Sequence, residues 1–330
     1  MKQELRFNKD GTFRILQLSD TQEKGRVADI TQTIIRKMVE KSNPDLVIFT
    51  GDNIYDDYVY KKLHGKPMDE QGLIEYYRDL SRPMEENGVP WCMVFGNHDS
   101  EFLLQFTRSD HMRVCMDNFD HFVGSLGDPD ISGDGNYVLS VLRSDSDKIG
   151  FNVWALDSGS YLNPEKEGFA ESDAVNSSDY DYIHFDQQLW YFNTSKALEE
   201  NNGEKIPGAM YFHISLPEFL FAAKDLKEND ENGYIHDGFT PVPINSGMFS
   251  TVLSRGDVKG IYCGHDHSNN FAGRYCGIEL GYAGGISYDD YGGWTGHQPD
   301  RDTCSGRLLE VNENDAWNFT TKLIYYKNLV

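Results

Sequence analysis

The chain has 330 residues, 39% of them hydrophobic and 13% aromatic, which is enough to bury a large core and too many for a disordered protein. Its formal net charge of −23 argues against a nucleic-acid or anionic-membrane surface, because those partners are held mainly by Lys and Arg. Any phosphate chemistry would need local positive charge, which bound metal ions could supply.

The N-terminal part of the chain alternates apolar strands with helices. Strands are predicted over residues 13–19, 46–50 and 91–95. Apolar residues recur at helical spacing over residues 30–38 and again over 74–84, and Asn43-Pro44 ends the first of these helices. This alternation predicts an α/β architecture with parallel strand pairing at its start.

The later part of the chain is richer in strands. They are predicted over residues 150–157, 208–213, 258–263, 277–283, 307–311 and 321–326. Because one open sheet seldom contains this many strands, we expect two stacked sheets with helices outside them. Because no Pro-rich or Gly/Ser-rich linker divides the chain, we expect a single domain over residues 1–330.

Cysteine usage and hydropathy bear on where the protein works. The five cysteines are odd in number and widely spaced, with no Cys-x-x-Cys pair, so buried reduced thiols are expected rather than disulfides or a thiolate zinc site. The sequence has neither a signal-peptide core nor an uninterrupted apolar stretch of roughly 18 residues. We therefore expect a soluble cytoplasmic protein, unless a leader has been removed.

Metal-capable side chains follow several of the predicted strands. They are Asp20 and Gln22, Asp52, the run Asn97-His98-Asp99, His213, and the pair His265 and His267. Each motif alone has an ordinary interpretation, since Gly51-Asp52-Asn53 is a common turn and a lone histidine such as His213 is more often structural. The carboxyl ends of strands are where ligands bind in open α/β sheets, so together the motifs predict one metal site.

In this order the motifs resemble those of the calcineurin-like metallophosphoesterases, whose blocks are Asp-x-His, Gly-Asp, Gly-Asn-His-Asp/Glu, a lone His and Gly-His-x-His. The segment at residues 211–218 is similar to that of the purple-acid-phosphatase-like and Dcr2-like branch. The first block departs from the pattern, because Gln22 stands where the family has histidine. The resemblance implies a four-layer αββα sandwich, with two mixed β-sheets flanked by helices.

The resemblance also implies two metal ions. The first ion would be held by Asp20, Gln22, Asp52 and His267, and the second by Asp52, Asn97, His213 and His265. Asp52 would bridge them, since two neighbouring cations need a shared anionic ligand. The neutral amide oxygen of Gln22 is a poorer zinc ligand than imidazole, so manganese or iron is favoured, with magnesium or zinc as alternatives. The alternative for Gln22 is a weakened first site that fills only with substrate or excess metal.

Such a centre would convert a bridging water to hydroxide, which would attack phosphorus in line while both ions neutralise the phosphoryl oxygens. His98, next to the ligand Asn97, would stabilise the transition state and protonate the leaving oxygen. Asp99 would hold or charge the imidazole, or else cap a helix that starts near residue 101.

These inferences predict a phosphomonoesterase that acts on a small phosphorylated substrate or a phosphoprotein. A phosphodiesterase or nucleotide pyrophosphatase is the alternative reaction, since the same centre can cleave both ester types. The alternative to an enzyme is a metal-binding scaffold without catalytic activity. Gln22 favours this alternative, whereas the presence of His98 argues against it.

Two further segments lie among the motifs. Residues 163–181 are acidic and polar, which predicts a solvated surface loop, with a lid over the crevice as the alternative. Tyr288, Tyr291 and Trp294 lie among glycines, a pattern that suits a packed hairpin or, alternatively, stacking on a base or sugar.

Overall fold

The fold is that of a computed structural model, which describes residues 3–100, 105–163, 179–224, 226, 233–235, 238, 240, 242, 244–287 and 304–330. Its strands are, in chain order, β1 (Leu5–Arg6), β2 (Thr12–Leu18), β3 (Leu46–Thr50), β4 (Trp91–Val94), β5 (Tyr137–Leu142), β6 (Ile149–Ala155), β7 (Gly208–Tyr211), β8 (Val258–Cys263), β9 (Ala272–Tyr275), β10 (Ile278–Tyr282), β11 (Ser305–Asn312) and β12 (Thr320–Tyr325). The α-helices among these residues are α1 (Asp29–Ser42), α2 (Tyr58–His64), α3 (Glu70–Asn87), α4 (Arg108–Asn118), α5 (Phe185–Asn202), α6 (Phe219–Ala223) and α7 (Met248–Arg255). Across the described part of the chain, no helix combines the length and apolarity needed to cross a bilayer.

The strands form two mixed sheets. The smaller has the order β12-β11-β2-β3-β4, and the larger has the order β1-β5-β6-β7-β8-β10-β9. In the smaller sheet β2, β3 and β4 pair in parallel, as predicted, whereas β11 is antiparallel to both β2 and β12. In the larger sheet β6, β7, β8 and β10 are parallel neighbours. Strand β5 is antiparallel to β6 and parallel to β1, and β9 is antiparallel to β10. The predicted fold class, two mixed sheets flanked by helices, is confirmed.

One apolar core joins the two sheets and the helices α1 and α3, and a second lies on the outer face of the larger sheet. Strand β7 shows the division, because Ala209 and Tyr211 join the first core and the intervening Met210 joins the second. The first core also contains Ile15 and Ile48 of the smaller sheet, on the face directed at the larger sheet, so the two sheets pack face to face. Helix α1 packs on β2, while α6 and α7 pack on β9, β10 and β8. The layers are therefore helix, sheet, sheet and helix.

Several elements are not predicted by the sequence pattern, among them β5, β9, α2, α4, α5 and α7. In α5 the usual pattern is inverted, since Phe185 and Leu189 are exposed and Gln187 and Gln188 are buried. Both glutamines donate hydrogen bonds to other segments, with Gln187 bonded to Asn136 Oδ1 at 2.8 Å. Tertiary contacts therefore determine this helix, and hydrophobic periodicity cannot reveal it.

The two sheets are joined where strands of each one end. Gln17 Nε2 in β2 donates to Cys263 O at the end of β8, at 3.0 Å. His213 Nδ1, just after β7, donates to Thr50 O at the end of β3, at 2.8 Å. The carboxyl ends of strands from both sheets therefore meet at one edge, where the polar motifs follow them.

Candidate metal centre

The loops that follow β2, β3, β4 and β8 are held together by hydrogen bonds around one buried centre. Gln22 N donates to Asp52 O at 2.9 Å, which joins the loops after β2 and β3. His98 N donates to Asp52 Oδ1 at 2.9 Å, which adds the loop after β4. His265 N donates to Asp20 Oδ1 at 2.9 Å, which adds the loop after β8 of the other sheet. The motif residues are therefore assembled by contacts between loops.

Backbone strain is concentrated in the same loops. Asp20, Gln22, Asp52 and His265 adopt φ values of 53°, 42°, 50° and 79°, in the left-handed region that non-glycine residues rarely enter. Such conformations cost roughly 1–3 kcal/mol each and persist where the surrounding structure imposes them, often at functional sites. The loops therefore direct these side chains at a cost to the free energy of folding.

Two groups of metal-capable atoms lie close enough to hold single ions, and they share Asp52. Asp52, His213 and His265 form one group, Asp20, Asp52 and His267 form the other, and within each group the ligand atoms lie within 4.8 Å of one another. His213 Nε2 is 3.1 Å from Asp52 Oδ2, and His267 Nε2 is 3.4 Å from Asp20 Oδ1. The structure thus brings together two adjacent sites with a common carboxylate, as two neighbouring divalent cations require.

Several of the candidate ligand atoms fit metal ions because they have no hydrogen-bond partner in the described part of the chain. Among the described residues, the buried atoms Asp20 Oδ2, Asn97 Oδ1 and His265 Nε2 take part in no hydrogen bond. Leaving a buried polar atom unpaired costs about 1–3 kcal/mol, so this cluster calls for a ligand. His213 Nδ1 donates to Thr50 O at 2.8 Å, so Nε2 is the nitrogen that can bind a metal once it has lost its proton. Carboxylate, amide and imidazole donors together suit divalent transition metals.

Burial and mutual contacts shift the pKa values of the centre. Burial alone would raise the pKa of Asp52, but His213 and His98 hold it well below its usual range. Burial alone would lower the pKa of His213, but the Asp52 carboxylate raises it to about 9. Burial and the neighbouring His213 lower the pKa of His265 to about 3. The Asp52 carboxylate thus favours a positive charge beside it, which a proton on His213 or a metal ion can provide.

His98 occupies the open side of the centre. Its side chain is 22% exposed, whereas those of His213 and His267 are 0% and 8% exposed. Its ring centroid lies 4.8 Å from that of Tyr55, and its Nε2 lies 3.9 Å from Asp52 Oδ2. The imidazole is therefore next to the ligand set and still accessible, which is where a proton donor could reach a substrate.

Asp99 makes different contacts from those expected. Its buried carboxylate accepts hydrogen bonds from the backbone N–H groups of Gly96 at 2.8 Å, Asn53 at 2.8 Å and Ile54 at 3.1 Å, and from Asn53 Nδ2 at 3.0 Å. Within the described chain it does not bond to the His98 imidazole, contrary to expectation. Because these donors converge on it, Asp99 fixes the loop after β3 against the loop after β4. The helix-cap alternative involves the residues that follow, which lie outside the described ones.

Gln22 lies in the centre and contacts the shared carboxylate. Its amide nitrogen donates to Asp52 Oδ2 at 2.8 Å, the same oxygen that faces His213. To bind a cation, the amide would have to turn so that its oxygen faces the centre, since the nitrogen has no lone pair to offer. The position of Gln22 fits a ligand, and coordination by it stays a prediction.

Residues outside the motifs support the centre. Arg108, at the start of α4, forms a buried ion pair with Asp157 and donates to Gly96 O at 2.7 Å. Tyr161 and Tyr180 lie against two of the candidate ligands. These residues belong to no motif and their partners are distant along the chain, so spacing and periodicity carry no signal for them.

Two predictions concern segments outside the described residues. Tyr288, Tyr291 and Trp294 lie within residues 288–303, and residues 164–178 make up most of the acidic loop. Their proposed roles stay predictions.

Comparison with known proteins extends the resemblance. A family model described as calcineurin-like phosphoesterase matches residues 13–269. An Arabidopsis thaliana protein named "Probable inactive purple acid phosphatase 14" is 32% identical over 328 residues, covering 89% of this chain and 75% of that protein. Phosphatase DCR2 of Saccharomyces cerevisiae is 26% identical over 291 residues, covering 82% of this chain and 46% of that protein.

The likeness extends to solved structures. A dimetal phosphatase from Danio rerio superposes with a TM-score of 0.53 at 12% identity, covering 95% of this chain and 99% of that chain, which shows a shared fold. The region matched by the family model contains every motif from Asp20 to His267. The chain therefore belongs to the calcineurin-like phosphoesterase family.

Proposed function

We propose that this protein is a metal-dependent hydrolase of phosphoric esters, and specifically a phosphomonoesterase. The observation that carries the proposal is the pair of adjacent ligand groups that share Asp52, where the buried Asp20 Oδ2 and His265 Nε2 have no hydrogen-bond partner among the described residues. When bound, two divalent cations would activate water for attack on phosphorus and neutralise the phosphoryl oxygens. Family membership supports the same reaction class.

The proton that the leaving group needs would come from His98. Its Nε2 lies 3.9 Å from Asp52 Oδ2, so a positively charged imidazole would be stabilised by that carboxylate. The ring would donate this proton to the ester oxygen, which then leaves as an alcohol. Tyr55 packs on the ring and the backbone N–H of His98 is bonded to Asp52, so the donor is held beside the ligands.

The preference for a monoester rests on the curated relatives. Phosphatase DCR2 is named a phosphatase without the word inactive, which favours a phosphomonoester over a phosphodiester or a nucleotide pyrophosphate. We expect turnover of p-nitrophenyl phosphate to exceed that of bis(p-nitrophenyl) phosphate, with manganese, iron, magnesium and zinc supplied in turn. A clear preference for the diester would replace the monoesterase by the phosphodiesterase.

A non-catalytic metal-binding scaffold is the second candidate. Two observations favour it, because the relative at 32% identity is named probable inactive and Gln22 bonds to Asp52 where the family has a histidine. The open position of His98 favours the enzyme, because a structural site needs ligands and no proton donor. Two bound ions without hydrolysis in excess manganese would favour the scaffold.

The metals, substrate class and compartment are parts of the same proposal. Manganese or iron is favoured because carboxylate and amide oxygens predominate among the candidate ligands. The net charge of −23 supports a small phosphorylated molecule or a phosphoprotein as substrate, rather than a nucleic acid or a membrane. All five cysteines are unpaired and four are buried, which supports a reducing compartment such as the cytoplasm.

A further inference from the structure

Two tyrosines outside the motifs form a pair beside the centre. Tyr161 and Tyr180 face each other in an antiparallel bridge, and their stacked rings are 5.5 Å apart with an interplanar angle of 25°. Asp181 N donates to Ser160 O at 3.1 Å, which fastens the neighbouring backbone. Ring stacking and backbone pairing therefore fix the two side chains relative to each other.

Each tyrosine contacts one candidate ligand of the same ion. The Tyr161 hydroxyl accepts a hydrogen bond from Asn97 Nδ2 at 3.3 Å. The Tyr180 ring lies 4.3 Å from the His265 ring at an interplanar angle of 85°. Ser160 Oγ also donates to Asn97 O at 3.1 Å, so the same segment holds the backbone of that ligand. Asn97 Oδ1 and His265 Nε2 are buried and, as far as the structure describes the chain, have no hydrogen-bond partner.

The contact with Tyr161 favours the orientation of Asn97 that can bind a metal. A cation takes the amide oxygen, which leaves the NH₂ group on the other side of the amide to be satisfied by the protein. Tyr161 provides that partner, and it is the one hydrogen-bond acceptor that Nδ2 has within the described residues. Loss of the hydroxyl would leave a buried donor unpaired whenever the oxygen faces the ion.

The contact between Tyr180 and His265 restricts the orientation of the His265 ring. His265 must present a ring nitrogen to the ion, and the edge-on aromatic contact opposes rotation of the imidazole away from that orientation. Groups behind a metal ligand commonly control its orientation in this way, and their loss weakens binding even though they do not touch the ion.

We propose that Tyr161 and Tyr180 are positioning residues for one of the two metal sites, the one formed by Asp52, Asn97, His213 and His265. The inference rests on the metal centre that underlies the proposed function. Because the two tyrosines contact two ligands of that site, loss of either contact should lower the metal affinity of that site and not that of the other.

The test is manganese binding by the full chain, measured by competition with a chelator for wild type and Tyr161→Phe. We expect one of two binding steps to weaken by about 10–100-fold and the other to stay unchanged. Tyr182→Phe is the matched control, because Tyr182 lies on the same segment and stacks on His184 instead. The control should bind both ions as the wild type does.

Substitutions of Tyr180 separate the ring from the hydroxyl. Tyr180→Phe keeps the ring and should bind like the wild type, whereas Tyr180→Leu should weaken the same step as Tyr161→Phe. If the wild type binds two ions and neither Tyr161→Phe nor Tyr180→Leu changes either step, the inference is wrong while the proposed function stands. Equal weakening of both steps would also overturn it, since that is a general loss of structure. A wild type that binds no metal would overturn both proposals.

Discussion

At the scale of single residues, the proposed roles of His98 and Asp52 can be tested separately. His98 would donate a proton, whereas Asp52 would bind the metals. His98 contacts Asp52 through its backbone N–H at 2.9 Å, a bond that survives loss of the side chain. The imidazole itself belongs to neither group of clustered ligand atoms. Removing the ring should therefore leave the ligand groups in place.

We expect His98→Ala to lower kcat for p-nitrophenyl phosphate by roughly 100-fold to 10,000-fold, because the leaving oxygen loses its proton donor. Metal content should stay at the wild-type level. Steady-state kinetics and elemental analysis of the same preparations check both parts. An unchanged kcat would show that His98 takes no part in the reaction.

Gln22 is the residue at which this chain departs from the family pattern. Its amide contacts Asp52 Oδ2 at 2.8 Å, so a side chain at this position reaches the shared ligand. Because imidazole binds zinc and copper better than a neutral amide oxygen does, we expect Gln22→His to tighten the first site or shift its preference towards zinc. Chelator competition with manganese and zinc measures this. Identical affinities and metal content would mean that residue 22 is not a ligand.

The residues that could be predicted from the sequence are those in short motifs directly after strands. Asn97 and His98 are examples, since their neighbours in the chain already define the turn that carries them. The contacts of Asp99 could not be predicted, because its partners Asn53 and Ile54 lie on another loop. Tyr161 was missed for the same reason, as its partner Asn97 is 64 positions away.

At the scale of elements, α3 and α4 pack through a buried contact between Tyr77 and His111. The Tyr77 hydroxyl lies 2.7 Å from His111 Nδ1, and burial lowers the pKa of His111 from 6.5 to about 3. The folded protein therefore keeps this imidazole neutral, whereas the unfolded chain binds a proton as the pH falls below 6.5. Stability that is fully present above that pH is lost on acidification towards about pH 3.

Between about pH 7.5 and pH 5.5, this one group should reduce the free energy of unfolding by on the order of 1 kcal/mol. In His111→Phe this decrease in the free energy of unfolding should be absent, because phenylalanine cannot be protonated. Urea unfolding of both proteins at the two pH values gives the comparison. The same loss in both proteins would contradict the burial of a neutral His111.

Strands were predictable where their burial produces a clear hydrophobic pattern in the sequence. Strands β3 and β8 have the predicted bounds, because they are largely buried on both faces and so read as apolar runs. Strand β5 has mostly half-buried side chains and gives neither an apolar run nor a clean alternation.

At the scale of the whole molecule, the candidate centre belongs to neither sheet alone. The smaller sheet supplies Asp20, Asp52 and Asn97, and the larger sheet supplies His213 and the pair after β8. No single motif could therefore predict the site, whereas their order along the chain could, because strand ends of an α/β sheet share an edge. The cross-sheet contacts that complete it, such as His265 N to Asp20 Oδ1, depend on the tertiary structure.

Elemental analysis of wild type and Asp52→Asn can show whether Asp52 joins two metal sites. After loading with manganese and removal of excess metal, the wild type should retain about two ions per chain. Asp52→Asn should retain fewer than one, because both sites lose their shared negative charge, while circular dichroism confirms that the variant is folded. Metal content near zero in the wild type, or equal content in the two proteins, would show that Asp52 does not join two metal sites.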